Sequence, residues 1–156
     1  MTDKATRPRV VIADDHSGLV NEIVALLRPE FDVVATAHDG VSALDCIRRL
    51  DPDIVLLDVY MPAMNGFDVA RTLKLSAAET VAVIMSGYDD PELAQAALTA
   101  GAKAFVTKSR LAQDLIPALR DGCGGRFFCR AEYRPGDRRR QHPSEPTTSS
   151  ETGNLP

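Results

Sequence analysis

Tryptophan is absent from these 156 residues, and aromatic side chains make up only 5% of them. With apolar residues at 44%, any interior must be filled mainly by aliphatic side chains. Cysteine is also scarce: Cys46, Cys123 and Cys129 are odd in number and show no CxxC spacing. That argues against a metal cage or a disulfide framework and for reduced thiols in a cytosolic protein. No apolar run is long enough to span a bilayer, and the N-terminal MTDKATRPR lacks an apolar h-region, so neither membrane insertion nor a signal peptide is expected. No GxGxxG or P-loop pattern appears, which leaves nucleotide binding without support. An excess of basic charge is missing too. The net charge of -4 argues against non-specific nucleic-acid binding by the chain as a whole. The charge is uneven: residues 1–125 hold 12 Lys/Arg against 18 Asp/Glu, whereas residues 126–156 hold 6 against 4.

What is present is an alternation. Short apolar, β-branched runs occur at RVVIA (9–13), FDVVATA (31–37), DIVLLD (53–58) and VAVIMS (81–86), with a weaker fifth at AKAFVTK (102–108). Between them lie segments with helical spacing: Leu19, Ile23, Leu26 and Leu27; Val41, Leu44 and Ile47; and Phe67, Val69, Ala70 and Leu73. Asp90-Pro91 reads as the cap and first residue of a fourth helix that stops at Gly101. A fifth is expected between Ser109 as cap and Gly122 as stop, with a kink at Pro117. Strands this apolar need both faces covered, which predicts an α/β fold with a doubly wound parallel sheet over residues 8–125. Residues 126–156 read as a tail without a second folded domain, mostly disordered from about Tyr133, because so few apolar residues cannot offset the entropy of ordering.

In such sheets chemistry collects beyond the carboxyl ends of the strands. Here those ends carry Asp14-Asp15, Asp58, Ser86-Gly87 and Lys108. Taken singly, each has a plain explanation: a helix cap, a turn hydroxyl, a solvated lysine. Together they are three carboxylates, one hydroxyl and one ammonium at one edge. Clustered carboxylates repel unless a cation joins them, and oxygen-only ligands suit a hard divalent ion such as Mg²⁺.

With the DD pair Asp14-Asp15, LLDVYMPAMNG around Asp58, MSG around Ser86 and FVTK ending in Lys108, residues 8–125 resemble the receiver domain of two-component response regulators. IADDH and LIPALRDGCGGRFF are most similar to the NarL/FixJ-like group. The resemblance implies a flavodoxin-like (βα)5 fold with strand order 2-1-3-4-5. It implies Asp58 as phosphoacceptor, receiving a phosphoryl group from a histidine kinase or phosphotransfer protein. It implies Mg²⁺ held by Asp15, Asp58 and the Tyr60 backbone carbonyl, with Asp14 joined through water. By the same resemblance Lys108 pairs with Asp58 and later with the phosphoryl group, and Ser86 donates its hydroxyl to that group. Gly87 leaves room for its entry, and Tyr60 and Tyr88 flank it. Phe105 stands where the family often has Tyr, and the implied switch turns its ring inward as Ser86 moves.

The chain departs from the family pattern at Ser109, where proline with a cis bond is common. A cis bond before a residue other than proline costs about 2.5–4 kcal/mol, so a trans Lys108-Ser109 peptide is expected. The residues after Gly125 hold too little apolar material for a helix-turn-helix domain. The expected output is therefore protein–protein contact through the face of the fourth helix, fifth strand and fifth helix, with a homodimer left open and DNA binding disfavoured. A transcriptional regulator lacking its output domain is one alternative. The other is a haloacid-dehalogenase-type phosphatase, which needs a general acid two residues after its nucleophile; that position is Tyr60.

Overall fold

The computed structural model describes residues 7–76 and 78–129. The predicted alternation is present as β1 (Arg9–Ala13), α1 (Ser17–Leu27), β2 (Asp32–Ala37), α2 (Gly40–Leu50), β3 (Ile54–Asp58), α3 (Gly66–Leu75), β4 (Val81–Ser86), α4 (Pro91–Thr99), β5 (Ala104–Thr107) and α5 (Leu111–Cys123). The strands form one parallel sheet in the order β2-β1-β3-β4-β5, the doubly wound order that the resemblance implies.

The period of two along a strand divides the core. Val11, Ala13, Val55, Leu57, Ile84 and Phe105 point to one side, where Leu44, Ile47, Val69, Leu73, Ala94 and Ala97 of α2, α3 and α4 cover them. Val10, Ile12, Leu56, Met85 and Val106 point to the other, against Ile23 and Leu27 of α1 and Leu115 and Leu119 of α5. Both faces being covered explains why β3 is apolar without alternation until its last residue. Val41, read as part of the α2 stripe, lies on the solvent side at 58% exposure; Leu44 and Ile47 carry that face.

Asp90 caps α4 as read from the sequence, and Asp39 and Asn65 do the same for α2 and α3. Asp39, Asn65 and Asp90 accept hydrogen bonds from the amides of Ser42, Asp68 and Glu92. The expectation for α5 needs correction. Ser109 is not its cap: the chain leaves β5 through a 3₁₀ turn, Lys108–Arg110, and α5 begins after it without a side-chain cap. Arg110 instead pairs with Asp114 one turn later, at 3.0 Å. Nor does Gly122 stop α5, which runs to Cys123 and is capped by Gly124. Gly122 is a packing glycine, because a Cβ there would lie 3.3 Å from Val81 Cγ1. The helix runs unbroken through the exposed Pro117, whose freed carbonyl partner lies on the solvated face. All described peptide bonds are trans, Lys108-Ser109 among them.

Phe127, Phe128 and Cys129, read from the sequence as the start of the tail, pack against the two core clusters beside β5. The disorder expected beyond Tyr133 concerns residues outside the described ones. No helix among the described residues is long and apolar enough to cross a membrane.

Candidate functional site

The end of β3 places Asp58 in the middle of the sheet, flanked by β1 and β4. Its carboxylate is delivered there by the turn that follows. The Val59 amide donates to the Met85 carbonyl at 3.0 Å, and the Val59 carbonyl accepts from the Gly66 amide at 3.0 Å. Gly66 opens α3 so close to β3 that a Cβ would run into the Asp58 carbonyl oxygen, which explains glycine at this position. Ala63 turns the chain with φ of 71°, and Asn65 caps α3.

The sheet brings four of the sequence-predicted residues together. Carboxylate oxygens of Asp14, Asp15 and Asp58 lie within 4.8 Å of one another, the first and last buried and Asp15 exposed. Lys108 Nζ is 2.9 Å from Asp58 Oδ1 and 2.8 Å from Asp14 Oδ2. Strands sit about 4.8 Å apart, so β5 lies roughly 14 Å across the sheet from β1, and the contact with Asp14 needs a long side chain from Lys108 and an aspartate reaching toward it. The pairing of Lys108 with Asp58 was anticipated. Its pairing with Asp14 was not, because the sequence gives no sign of which carboxylate the ammonium meets besides Asp58. Asp14 is held by a second contact: its Oδ1 accepts from the His16 amide at 2.9 Å, while His16 Nδ1 accepts from Leu19 to cap α1.

Burial is the largest influence on the Asp58 carboxyl and pushes it above the ordinary carboxylate range. The Lys108 hydrogen bond and charge pull it back, and the charges of Asp14 and Asp15 raise it again. For Lys108, burial alone would lower the ammonium's pKa most, yet hydrogen bonds and charges from Asp14 and Asp58 together hold it above its ordinary value. The donor set fits a small, hard divalent cation: carboxylate oxygens only, two of them buried, with a carboxylate of raised proton affinity that a cation would relieve.

Ser86 is fully buried at the tip of β4, and its Oγ accepts from the Tyr88 amide at 2.9 Å. Its own proton is thereby left to donate elsewhere. No heavy atom lies within 4 Å of where a Gly87 Cβ would stand, so open space adjoins the site. Tyr60 and Tyr88, both mostly exposed, meet edge to face with ring centroids 6.4 Å apart. Phe105 is already inside, at 2% exposure, within the cluster on the α4 side.

Strand order, carboxylate cluster and lysine define a doubly wound α/β module with an acidic site at the carboxyl edge of its sheet, and comparison with known proteins gives its family. Residues 10–120 match the response regulator receiver domain, and the chain belongs to that family. The transcriptional regulatory protein DegU of Brevibacillus brevis is 33% identical over 115 residues, which are 72% of this chain and 48% of that protein. The nitrate/nitrite response regulator NarP of Escherichia coli K12 is 35% identical over 124 residues, 78% of this chain and 58% of that protein. The solved signal receiver domain of NarL from Mycobacterium tuberculosis superposes with a TM-score of 0.73 at 34% identity, covering 77% of this chain and 98% of that domain. The chain thus spans about half the length of the curated relatives it matches.

Proposed function

We propose that this chain is a cytoplasmic response regulator that accepts a phosphoryl group on Asp58 from the phosphohistidine of a sensor kinase or phosphotransfer protein. The observation that carries this is the Asp58 carboxylate at the tip of β3, paired with Lys108 at 2.9 Å and clustered with Asp14 and Asp15. In the step, an Asp58 oxygen forms a bond to phosphorus as the P–N bond to the donor imidazole breaks, the imidazole nitrogen keeping the electron pair and taking up a proton. Mg²⁺ bound by Asp15, Asp58 and the Tyr60 carbonyl, with Asp14 joined through water, would supply neutralisation of the charge on the transferring oxygens. Lys108 keeps Asp14 as partner while its bond to Asp58 gives way to one with a phosphoryl oxygen. Ser86 donates its free proton to the same group, and the open space at Gly87 admits it.

Because the Phe105 ring is inside in this structure, the switch we envisage lies in the Ser86–Tyr88 loop and in what covers β5, and passes to a protein partner on the α4–β5–α5 face. Incubation with acetyl phosphate and Mg²⁺ should add one phosphoryl group by mass, and Asp58→Asn should add none. Multiple turnover of phosphate esters instead would point to a phosphatase.

Tyr60 and Tyr88 follow Asp58 and Ser86 by two residues each, and their rings meet edge to face; the proposed role of the pair is to shield a phosphorylated Asp58 from water. Phosphoprotein decay should therefore be slower in the wild type than in the Tyr60→Asn, Tyr88→Glu double variant, by about tenfold, or ~1.4 kcal/mol in barrier. Equal decay rates would remove the shielding role.

A further inference from the structure

β5 is the last strand of the sheet, and such an edge offers unpaired amides and carbonyls to any extended segment. In this protein the chain's own C-terminal continuation takes that place. After α5, Gly124 caps the helix and Gly125 turns the chain with φ of 89°. The Arg126 amide donates to the Asp121 carbonyl at 3.0 Å, and its guanidinium meets the Asp121 carboxylate at 2.9 Å. The chain then runs parallel to β5, with Phe128 opposite Ala104. The Phe105 amide donates to the Phe128 carbonyl at 2.9 Å, and the Phe128 amide donates to the Lys103 carbonyl at 3.0 Å. Side chains alternate as on a true strand. Phe127 and Cys129 join the cluster containing Phe105, Ala94 and Ala97 on the α4 side, and Phe128 joins the cluster of α5. Arg126–Cys129 therefore covers the ground between α4 and α5.

We propose that Arg126–Cys129 is a displaceable strap that closes the α4–β5–α5 face in the unphosphorylated protein and leaves β5 when Asp58 is phosphorylated, exposing the edge to a partner. The proposal rests on the receiver reading of Asp58. Its attachment to the sheet suits release: two backbone bonds join it to the β5 edge, and its Phe127, Phe128 and Cys129 side chains are only half-buried, whereas an inner strand is paired along both sides. Its coupling to the site is short. Ser86 pairs with Thr107 and Ile84 with Phe105 across the β4–β5 ladder, so movement at the β4 tip is carried to the strand whose Phe105 amide holds the strap. Because coupling is reciprocal, loosening the strap must also favour the phosphorylated form.

Amide hydrogen exchange on the full chain tests this, comparing wild type with Phe127→Ser, Phe128→Pro, which removes the Phe128 amide and both phenylalanine rings. Without phosphodonor, the Phe105 amide should exchange about tenfold more slowly in the wild type than in the variant, while the Val83 and Ile84 amides are unchanged and report an intact core. With acetyl phosphate and Mg²⁺, and phosphorylation verified by mass, the wild-type Phe105 rate should rise to the variant's. Equal Phe105 rates in the two unphosphorylated proteins would overturn the strap itself. Persisting protection in a phosphorylated wild type would overturn its release while leaving the receiver reading intact. Failure of Asp58 to take up a phosphoryl group would overturn that reading and release together, and the variant comparison would still decide whether the strap pairs with β5.

Discussion

Lys108→Ala should lower the unfolding free energy by about 2–4 kcal/mol at neutral pH without Mg²⁺, the largest stability change expected from any residue of the site. The ammonium stands between Asp58 and a fully buried Asp14, at 2.9 and 2.8 Å. Removing it leaves both carboxylates without their cation, and an uncompensated buried charge costs more than the pair contributed. The figure lies below that of a wholly buried pair because the Lys108 side chain is 22% exposed. The lysine's own raised pKa adds no pH dependence near neutrality. That contribution is fully present below the ordinary lysine value and is lost only as pH rises through the higher folded one. The Asp58 carboxyl does add one: burial raises its proton affinity, so the variant's deficit should shrink as pH falls and this carboxyl becomes neutral. Mg²⁺ should raise the variant's melting temperature more than the wild type's, because the divalent ion supplies the missing positive charge. Calorimetric melting across pH, with and without Mg²⁺, reads all of this. A variant within about 0.5 kcal/mol of wild type at pH 7 would show that the two ion pairs contribute nothing net.

Asp58→Asn should act in the opposite direction, abolishing phosphoryl uptake and stabilising the metal-free fold by on the order of 1 kcal/mol. In a domain of this size that is about 3–6 °C in melting temperature. Burial raises the Asp58 carboxyl, so the folded state binds a proton more tightly than the unfolded chain does. The sign follows from that. Below the ordinary carboxylate value the residue exacts no penalty; stability falls as pH rises through the raised folded value; above it the penalty is complete. The advantage of Asn should therefore be absent at low pH and full at neutral pH. Lys108 keeps Asp14 as partner in this variant, so no orphaned ammonium cancels the gain. Mg²⁺ at tenfold its Kd should add about 1.4 kcal/mol to the wild type and much less to the variant. A destabilised Asp58→Asn protein would mean that the Lys108 pair outweighs the burial of the carboxylate.

Much of this site could be read along the chain, and the reason is local. Each apolar strand run gives way to a polar residue, so Asp14, Asp58, Ser86 and Lys108 are marked by their position at the end of an apolar stretch. Asp90 announces its helix because a cap acts within three residues, and Asp39 and Asn65 cap theirs in the same way. Ser109 misled for the same reason. It has the right chemistry for a cap, but the strand above it sends the chain into a 3₁₀ turn, and α5 starts two residues later.

The sequence by itself determined the five-fold β/α alternation, the two-sided burial of the sheet and the set of residues at its carboxyl edge, because apolar period, β-branching and capping are short-range properties. Only the tertiary structure decided that Lys108 bridges Asp14 as well as Asp58, that Tyr60 and Tyr88 meet, that Gly66 lets α3 press on the Asp58 carbonyl, and that Phe128 closes the β5 edge. Those contacts join residues far apart in the chain, and their distances are set by strand order and helix packing, which no local pattern encodes.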